Sequence, residues 1–210
     1  MPQFQIISDI HLEFKNARES MPEIEVNSEL LCLLGDIGYP LLSSYKEFIA
    51  YQANRFSYII VIAGNHEFYC PHDRNYTFEE VIREISSICN EIDNVYFLYR
   101  ESLELPCFPN VRFIGAILWT NIPFKHKYDL SDICNDYNYI YTQCSTEQLI
   151  QLTPRNINSM EIDKFKEERN LTVDEQNKLH KADLEYIKQE LHSAKQLKQT
   201  AIIDSSRTNR

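Results

Sequence analysis

The chain alternates short apolar runs with polar or amphipathic segments, and three of the apolar runs lie in its first third. They cover residues 4–8, 30–34 and 58–63. Short aliphatic and β-branched runs bounded by glycine or polar residues predict strands that are buried on both faces, as in a parallel sheet. Helical spacing of apolar residues over 44–56 and 77–89 predicts crossover helices. The alternation of strands and helices therefore predicts an α/β fold with a parallel sheet.

The rest of the chain has fewer clear elements. Apolar runs predict two further strands, and the segment between residues 121 and 158 is rich in Asn, Tyr and Asp without a sustained period. We expect that segment to be a long excursion over the side of the sheet that carries the polar strand ends, with one short helix. A final long helix leads to a last strand-like run. The predicted ranges are 95–98 and 111–119 for the strands, 146–152 and 172–198 for the helices, and 199–203 for the last run.

Capping signals and an apolar stripe support three of these helices. A Ser or Thr followed three residues later by Glu predicts a capping box, in which each side chain hydrogen bonds to the backbone of the other residue. On the final helix, an apolar stripe predicts the buried face. The capping boxes are Ser44/Glu47, Thr77/Glu80 and Thr172/Glu175, and the stripe consists of His180, Leu184, Ile187, Leu191 and Ala194.

Composition narrows the class of protein. The 210 residues, 43% of them hydrophobic, suffice for one globular domain over residues 1–210, and no segment approaches the roughly 20 apolar residues of a membrane-spanning helix. The formal net charge of −10 argues against a nucleic-acid-binding surface that neutralises phosphates. The N-terminal residues lack the pattern of a secretion signal, and the six cysteines form no C-x-x-C pair. We therefore expect a cytoplasmic protein with free thiols.

Each of the three early strands is followed by residues that commonly bind metal ions. Asp9 and His11 follow the first strand, Asp36 follows the second, and Asn65 follows the third. The carboxyl ends of parallel strands meet at one edge of a sheet, where open α/β sheets bind their ligands. Because alternate residues of an extended chain point the same way, Asp9 and His11 can reach one ion. Carboxylate, imidazole and amide ligands suit Mn, Fe or Zn.

The order and spacing of these residues resemble those of the calcineurin-like metallophosphoesterases. The family pattern opens with D-x-H, continues with G-D and then has G-N-H-E or G-N-H-D, which here are residues 9–11, 35–36 and 64–67. Residues 114–119 and 135–137 are also similar to one bacterial-type branch. The resemblance implies a β-sandwich flanked by helices, and metal-dependent hydrolysis of phosphomonoesters or phosphodiesters.

The resemblance also implies a site with two divalent ions. Asp9 and His11 would hold the first ion. Asp36 would bridge both ions, because a carboxylate can give one oxygen to each, and Asn65 would bind the second. His66 would act as the general acid or contact the phosphate. Two such cations bind phosphate oxygens and activate a bridging water as the nucleophile.

Supporting roles fall to further residues. Glu67 is expected to orient neighbouring backbone or a ligand. His180 lies on the inward stripe of its helix, where a hydrogen-bonded, partly buried histidine is the plainer interpretation. Its position also resembles that of a histidine in the bacterial-type branch, which leaves a substrate-side role open. His72 and His126 lie in loop-like sequence and have no spacing typical of metal ligands.

The sequence departs from the family pattern in its later part. The pattern requires a T-H-H turn after a strand and a closing G-H-x-H, and neither motif is present. Residues 204–206, Asp-Ser-Ser, stand where the first motif is expected. We therefore expect one retained ion, a weak second ion and weak turnover. The second half of the β-sandwich is expected to be incomplete.

Two alternatives stay open beside a working hydrolase. The chain could be a metal- or phosphate-binding relic without turnover, or a fragment of a longer enzyme. The run over 199–203 predicts a buried strand with few residues after it, so that a sheet edge would be exposed. We expect such an edge to cause self-association.

Overall fold

A parallel sheet forms the first half of the molecule. The computed structural model describes residues 3–14, 22–69, 76–162 and 167–205. The strands of this sheet are β1 (Phe4–Ile7), β2 (Leu30–Leu34), β3 (Tyr58–Ile62) and β4 (Val95–Phe97). They are parallel and lie in the order β1-β2-β3-β4. The predicted parallel sheet is confirmed, and the carboxyl ends of its strands share one edge.

The other strands form a second sheet and a small pair. Their bounds are β5 (Glu101–Leu103), β6 (Val111–Ala116), β7 (Tyr141–Thr142), β8 (Arg169–Asn170) and β9 (Thr200–Ser205). The second sheet has the order β5-β6-β9, in which β6 is antiparallel to β5 and parallel to β9. The predicted last strand is therefore confirmed, and among the described residues it is an edge strand of this sheet. β7 and β8 pair antiparallel.

Two predictions about the second sheet need correction. β6 ends at Ala116, not at residue 119, and the chain turns soon afterwards at Leu118, whose φ is 52°. β5 was not predicted at all. Its three residues are only half-buried and include Glu and Ser, so they carry neither an apolar run nor a clear alternation.

Six helices surround the sheets in the described part of the chain. They are α1 (Ser43–Ala53), α2 (Phe78–Asn90), α3 (Lys127–Ile133), α4 (Asp136–Tyr139), α5 (Thr146–Gln151) and α6 (Val173–Gln196). Short 3-10 turns cover His66–Phe68 and Phe124–His126. The excursion over residues 121–158 thus contains three short helices where one was predicted. α3 and α4 are too short to show a helical period in the sequence.

The helix caps agree with the sequence in two of three cases. The capping boxes at Thr77 and Thr172 are both present. The one predicted at Ser44 is wrong, because the N-cap of α1 is Leu42, two residues earlier, and it makes no side-chain cap hydrogen bond. A capping box that was not predicted begins α5 at Ser145.

Alternate residues of the central strands fill two cores, one on each face of the first sheet. Leu31 of β2 belongs to a cluster that contains Phe48 of α1 and Phe78 of α2. Its neighbour Cys32 belongs to a second cluster that contains Phe113 of β6. The first sheet is therefore covered by helices on one face and by the second sheet on the other. This is the β-sandwich flanked by helices that the resemblance implied.

The buried face of α6 differs from the predicted stripe. Ile187 and Ala194 are buried, but Leu184 and Leu191 are 36% and 38% exposed. Asp183 is buried instead, because its carboxylate pairs with a buried arginine described below. The buried face of α6 therefore keeps two of the predicted positions and includes an ion-paired carboxylate at position 183.

Other expectations concern single residues. None of the described helices is long and apolar enough to cross a bilayer. Cys89, Cys107 and Cys134 are free thiols. Cys70 and His72 lie outside the described residues.

Candidate metal centre

The carboxyl ends of β1 and β2 bring the predicted ligands together. The Asp9 N–H donates to the Gly35 carbonyl at 3.1 Å, and the His11 N–H donates to the Asp36 carbonyl at 3.0 Å. These bonds continue the pairing of the two strands past their ends. The loop after β1 is thereby fixed against the loop after β2, and three of the four predicted ligands, Asp9, His11 and Asp36, lie side by side.

Asp9, His11 and Asp36 all adopt a backbone conformation that is unfavourable for residues with a side chain. Their φ angles are 56°, 53° and 55°. A residue held in this left-handed region costs about 1–3 kcal/mol. The structure corrects the reason given for their convergence: β1 ends at Ile7, so Asp9 and His11 meet through strained turns and not as alternate residues of a strand.

These three residues form what we call the candidate metal centre. Each offers one ligand atom within 4.8 Å of the atoms offered by the other two. Asp9 is exposed, the His11 side chain is half-buried and Asp36 is buried, so the cluster opens to solvent on one side. Two carboxylates and one imidazole are donors that suit Mn, Fe or Zn. The donor set therefore fits a divalent ion with a side left open for substrate.

Glu67 joins the ends of β2 and β3. Its buried side chain accepts hydrogen bonds from the backbone N–H groups of Asp36 at 3.0 Å, Ile37 at 2.8 Å and Gly64 at 2.6 Å. Gly64 lies so close that a Cβ there would be 2.2 Å from Asp36 Oδ1. The expected orienting role of Glu67 thus has a geometric basis, because its carboxylate fixes the backbone on which Asp36 sits.

The buried carboxylates of this region are close enough to affect each other's protonation. Burial and, after it, the charge of Asp36 raise the pKa of Glu67 to about 7, although three backbone N–H groups lower it. Burial also raises the pKa of Asp36, although the His66 N–H donates to its Oδ1 at 3.0 Å. A divalent cation would stabilise both groups in their ionised form. The electrostatics of the cluster therefore favour a bound cation.

Glu13 is a site residue that the sequence analysis missed. Its Oε1 lies 2.9 Å from Nδ1 of His11 and 3.1 Å from Nδ1 of His66. Its side chain is 3% exposed, and its Oε2 is buried without a hydrogen-bond partner among the described residues. Its position two residues after His11 repeats the spacing of Asp9 and His11, which was the available signal. The polar composition of the sequence after Glu13 is typical of a loop and obscures this signal.

His66 lies beside His11 of the candidate metal centre and contacts Glu13. Its ring is 4.4 Å from the His11 ring and 4.6 Å from the Tyr69 ring, measured between centroids. Burial alone would lower the pKa of His66, but the hydrogen bond to Glu13 and the nearby Asp36 raise it above 6.5. His11, Glu13 and His66 also offer ligand atoms within 4.8 Å of one another, so the two groups share His11.

The remaining predicted site residues have different surroundings. The Asn65 side-chain amide donates to the Tyr69 hydroxyl at 2.7 Å and to Asp136 Oδ1 at 2.9 Å. His180 is half-buried, and its Nδ1 lies 2.6 Å from the Trp119 carbonyl oxygen. That contact fits the plainer interpretation of a hydrogen-bonded histidine and does not connect His180 to the candidate metal centre.

Known proteins resemble this chain in sequence and in structure. The family model for calcineurin-like phosphoesterases matches residues 3–180. An uncharacterized protein of Acanthamoeba polyphaga mimivirus is 26% identical over 197 residues, which cover 90% of this chain and 62% of the viral protein. The chain thus spans less than two thirds of that relative.

Among solved structures, the phosphopantetheinyl hydrolase PptH from Mycobacterium tuberculosis is similar with a TM-score of 0.55. The similarity covers 97% of this chain and 67% of PptH, at 14% sequence identity. At that identity, the likeness is one of fold.

Proposed function

Because the chain belongs to the calcineurin-like phosphoesterase family, we propose that it binds divalent metal ions at the candidate metal centre and hydrolyses a phosphomonoester or phosphodiester there. The observation that carries this proposal is the convergence of Asp9, His11 and Asp36, whose ligand atoms lie within 4.8 Å of one another. Their strained backbone supports it, because such conformations cluster at functional sites.

The ligands are unequally divided between two ions. Asp9, His11 and Asp36 would hold the first, whereas the residues that the family pattern assigns to the second within the described part of the chain are Asp36 and Asn65. The sequence has no T-H-H or G-H-x-H motif to add histidines to the second position. We therefore propose one firmly held ion and one weakly held ion, with Mn, Fe or Zn as the metal. Divalent ions in such a site act as Lewis acids toward phosphate oxygens and lower the pKa of bound water.

His66 supplies the proton in this proposal. Its raised pKa increases the protonated fraction at neutral pH, and a protonated imidazole can donate to a leaving oxygen. Glu13 occupies Nδ1, so Nε2 is the nitrogen left for the substrate. Asp36 accepts a hydrogen bond from the backbone N–H of His66, which fixes the position of the proposed proton donor relative to the metal ligands. Glu13 and Asp36 together orient His66 at the edge of the site.

A second candidate function is binding of a metal ion or a phosphate without turnover. The shortage of ligands for a second ion favours it, because two-metal hydrolysis needs both ions in place. This candidate uses the same residues and differs only in rate. The two are therefore separated by measuring binding and hydrolysis on the same preparation.

Hydrolysis of p-nitrophenyl phosphate and of bis(p-nitrophenyl) phosphate with added Mn²⁺ tests the proposal. We expect slow hydrolysis of at least one substrate by the wild type. Asp36→Asn should lose Mn²⁺ binding. His66→Gln should hydrolyse the substrate about 10²–10⁴-fold more slowly than the wild type. The matched control is His192→Gln, which alters an exposed histidine on α6 that bonds only to Gln196 in the described structure.

Equal rates for wild type, Asp36→Asn and His66→Gln would overturn the hydrolase proposal and identify a contaminant. Tight Mn²⁺ binding without any hydrolysis would support the binding candidate. Two firmly retained ions per chain would contradict the unequal division of ligands.

A further inference from the structure

The excursion over residues 121–158 contributes a buried carboxylate to the surroundings of Asn65. Asp136 lies in α4, 71 residues from Asn65, and is 1% exposed. Its Oδ1 accepts a hydrogen bond from the Asn65 side-chain amide at 2.9 Å and another from the Tyr69 hydroxyl. The Cys134 thiol also hydrogen bonds to the Asp136 side chain. Asp136 is thus held by several donors and belongs to neither of the two groups of candidate metal ligands.

The contacts of Asp136 fix which way the Asn65 amide faces. The Asn65 nitrogen donates to both Asp136 and Tyr69. If the amide were flipped, its oxygen would face a carboxylate oxygen, and two acceptors would be in contact without a proton between them. The charge on Asp136 therefore selects one orientation. In that orientation, the Asn65 oxygen is free of both partners.

We propose that Asp136 is a positioning residue that holds Asn65 with its carbonyl oxygen presented to the candidate metal centre. The inference rests on the proposed function, because it needs Asn65 to bind an ion, and it gives a role to the Asn-Asp-Tyr stretch at 135–137. Where an ion has few ligands, the orientation of each one has a larger effect on affinity. Tyr69 completes the arrangement by linking the Asn65 amide to Asp136.

The decisive variant is Asp136→Asn. It keeps the size of the side chain but allows the residue to donate as well as accept, so that the flipped Asn65 amide becomes equally favourable. Tyr69→Phe is a second variant that removes one acceptor and leaves the carboxylate. The matched control is Asp132→Asn, which removes an exposed carboxylate on α3, in the same excursion.

Two measurements on the full chain test the inference. The first is hydrogen exchange of the Asn65 side-chain amide, observed by NMR without metal and assigned by its loss in Asn65→Ala. The second is titration with Mn²⁺, followed by electron paramagnetic resonance. Thermal melting of each variant reports whether it folds.

We expect slow exchange of the Asn65 amide in wild type and fast exchange in Asp136→Asn. Affinity for the weaker ion should fall by about 10–100-fold, the usual effect of removing a partner of a metal ligand, while the tighter ion is retained. Tyr69→Phe should cause a smaller loss, and Asp132→Asn none. An amide that stays protected in folded Asp136→Asn, or an unchanged weaker ion, would overturn the inference. A wild-type chain that binds no Mn²⁺ would overturn the proposed function, and amide exchange alone would then decide the orientation of Asn65.

Discussion

Two buried carboxylate sites in this molecule differ in what neutralises them. Asp183 of α6 is paired with Arg100, whose Nε lies 2.7 Å from Oδ1, and both side chains are almost completely buried. Glu67 is equally buried but is held by three backbone N–H groups and has no Lys or Arg partner among the described residues. Asp36 lies beside it and adds a second negative charge.

The difference supports a structural role for the Asp183 pair and the proposed cation site around Asp36. Arg100 also donates to the Ile150 carbonyl and to the Tyr99 hydroxyl. The Arg100–Asp183 pair therefore links α5 and α6 through contacts within the protein. A buried charge without a counter-charge is unfavourable unless a partner is supplied. At the candidate metal centre, a metal ion is the partner that the donor set would accept. The comparison therefore predicts opposite responses to mutation and to metal.

The largest expected effect comes from breaking the structural pair. Arg100→Met should lower the free energy of unfolding by about 3–5 kcal/mol, because it leaves the Asp183 charge buried without its partner. Urea denaturation of the purified chain measures this. The double variant Arg100→Met, Asp183→Leu should recover much of the loss, since both charges are then gone. A loss below about 1 kcal/mol in the single variant would show that solvent reaches the pair.

A smaller effect, of the opposite sign, is expected when the metal is added. Mn²⁺ at about 100 times its dissociation constant should raise the free energy of unfolding by about 2.7 kcal/mol, because it binds only the folded chain. The increase should vanish in Asp36→Asn and persist in Arg100→Met, which isolates the metal centre from the structural pair. Melting curves with and without Mn²⁺ give the comparison. An unchanged increment in Asp36→Asn would place the ion elsewhere.

The smallest effect concerns a carboxylate that is held both by an arginine and by a backbone N–H group. Glu175 of α6 accepts hydrogen bonds from Arg169 and from the backbone N–H of Thr172. Burial alone would raise the pKa of Glu175, but the bonds from Arg169 and Thr172 outweigh it and hold the pKa below 4.5. A carboxylate whose pKa is lower in the folded chain than in the unfolded chain stabilises the fold at pH values above its unfolded pKa. This stabilisation is lost as the pH falls through the pKa of the folded chain.

Glu175→Gln should therefore lower the stability at pH 7, by about 0.5 kcal/mol because Arg169 is partly exposed. The deficit should disappear as the pH is lowered below 4.5. Glu168→Gln, which alters an exposed neighbour, is the control. Melting temperatures of the wild type and the two variants between pH 3 and pH 7 measure the deficit. This range extends to both sides of the unfolded pKa of a glutamate, about 4.3. A deficit that persists at the lowest pH would mean that packing, not charge, is responsible.

Much of the fold was predictable because its signals are local. β2 and β3 are continuous apolar runs, β1 is a mostly apolar run that contains Gln5, and the residues that follow the three strands include the candidate ligands. The capping boxes at Thr77 and Thr172 are also defined within four residues of sequence. At Ser44 the apolar spacing predicted the helix correctly, but the Ser-x-x-Glu pair did not fix the residue at which the helix begins, and the predicted cap was wrong.

The parts that could not be predicted depend on contacts between distant segments. Asp136 reaches Asn65 only because α4 packs over the strand ends, and Asp183 is buried only because Arg100 comes from a different part of the chain. Glu13 is the intermediate case, since its spacing was visible but its two histidine partners lie on different loops. In each case a polar residue is buried by a partner that the local sequence does not show.

The left-handed backbone of Asp9, His11 and Asp36 has a consequence for how the chain would respond to selection. Glycine adopts positive φ without the steric penalty of a Cβ, so glycine at any of the three positions would relieve strain. A library screened for thermal resistance alone would therefore drift toward glycine at the positions where the ligands stand. If the three residues bind the proposed metal ion, the two aspartates and the histidine there lower the stability of the fold in exchange for that function.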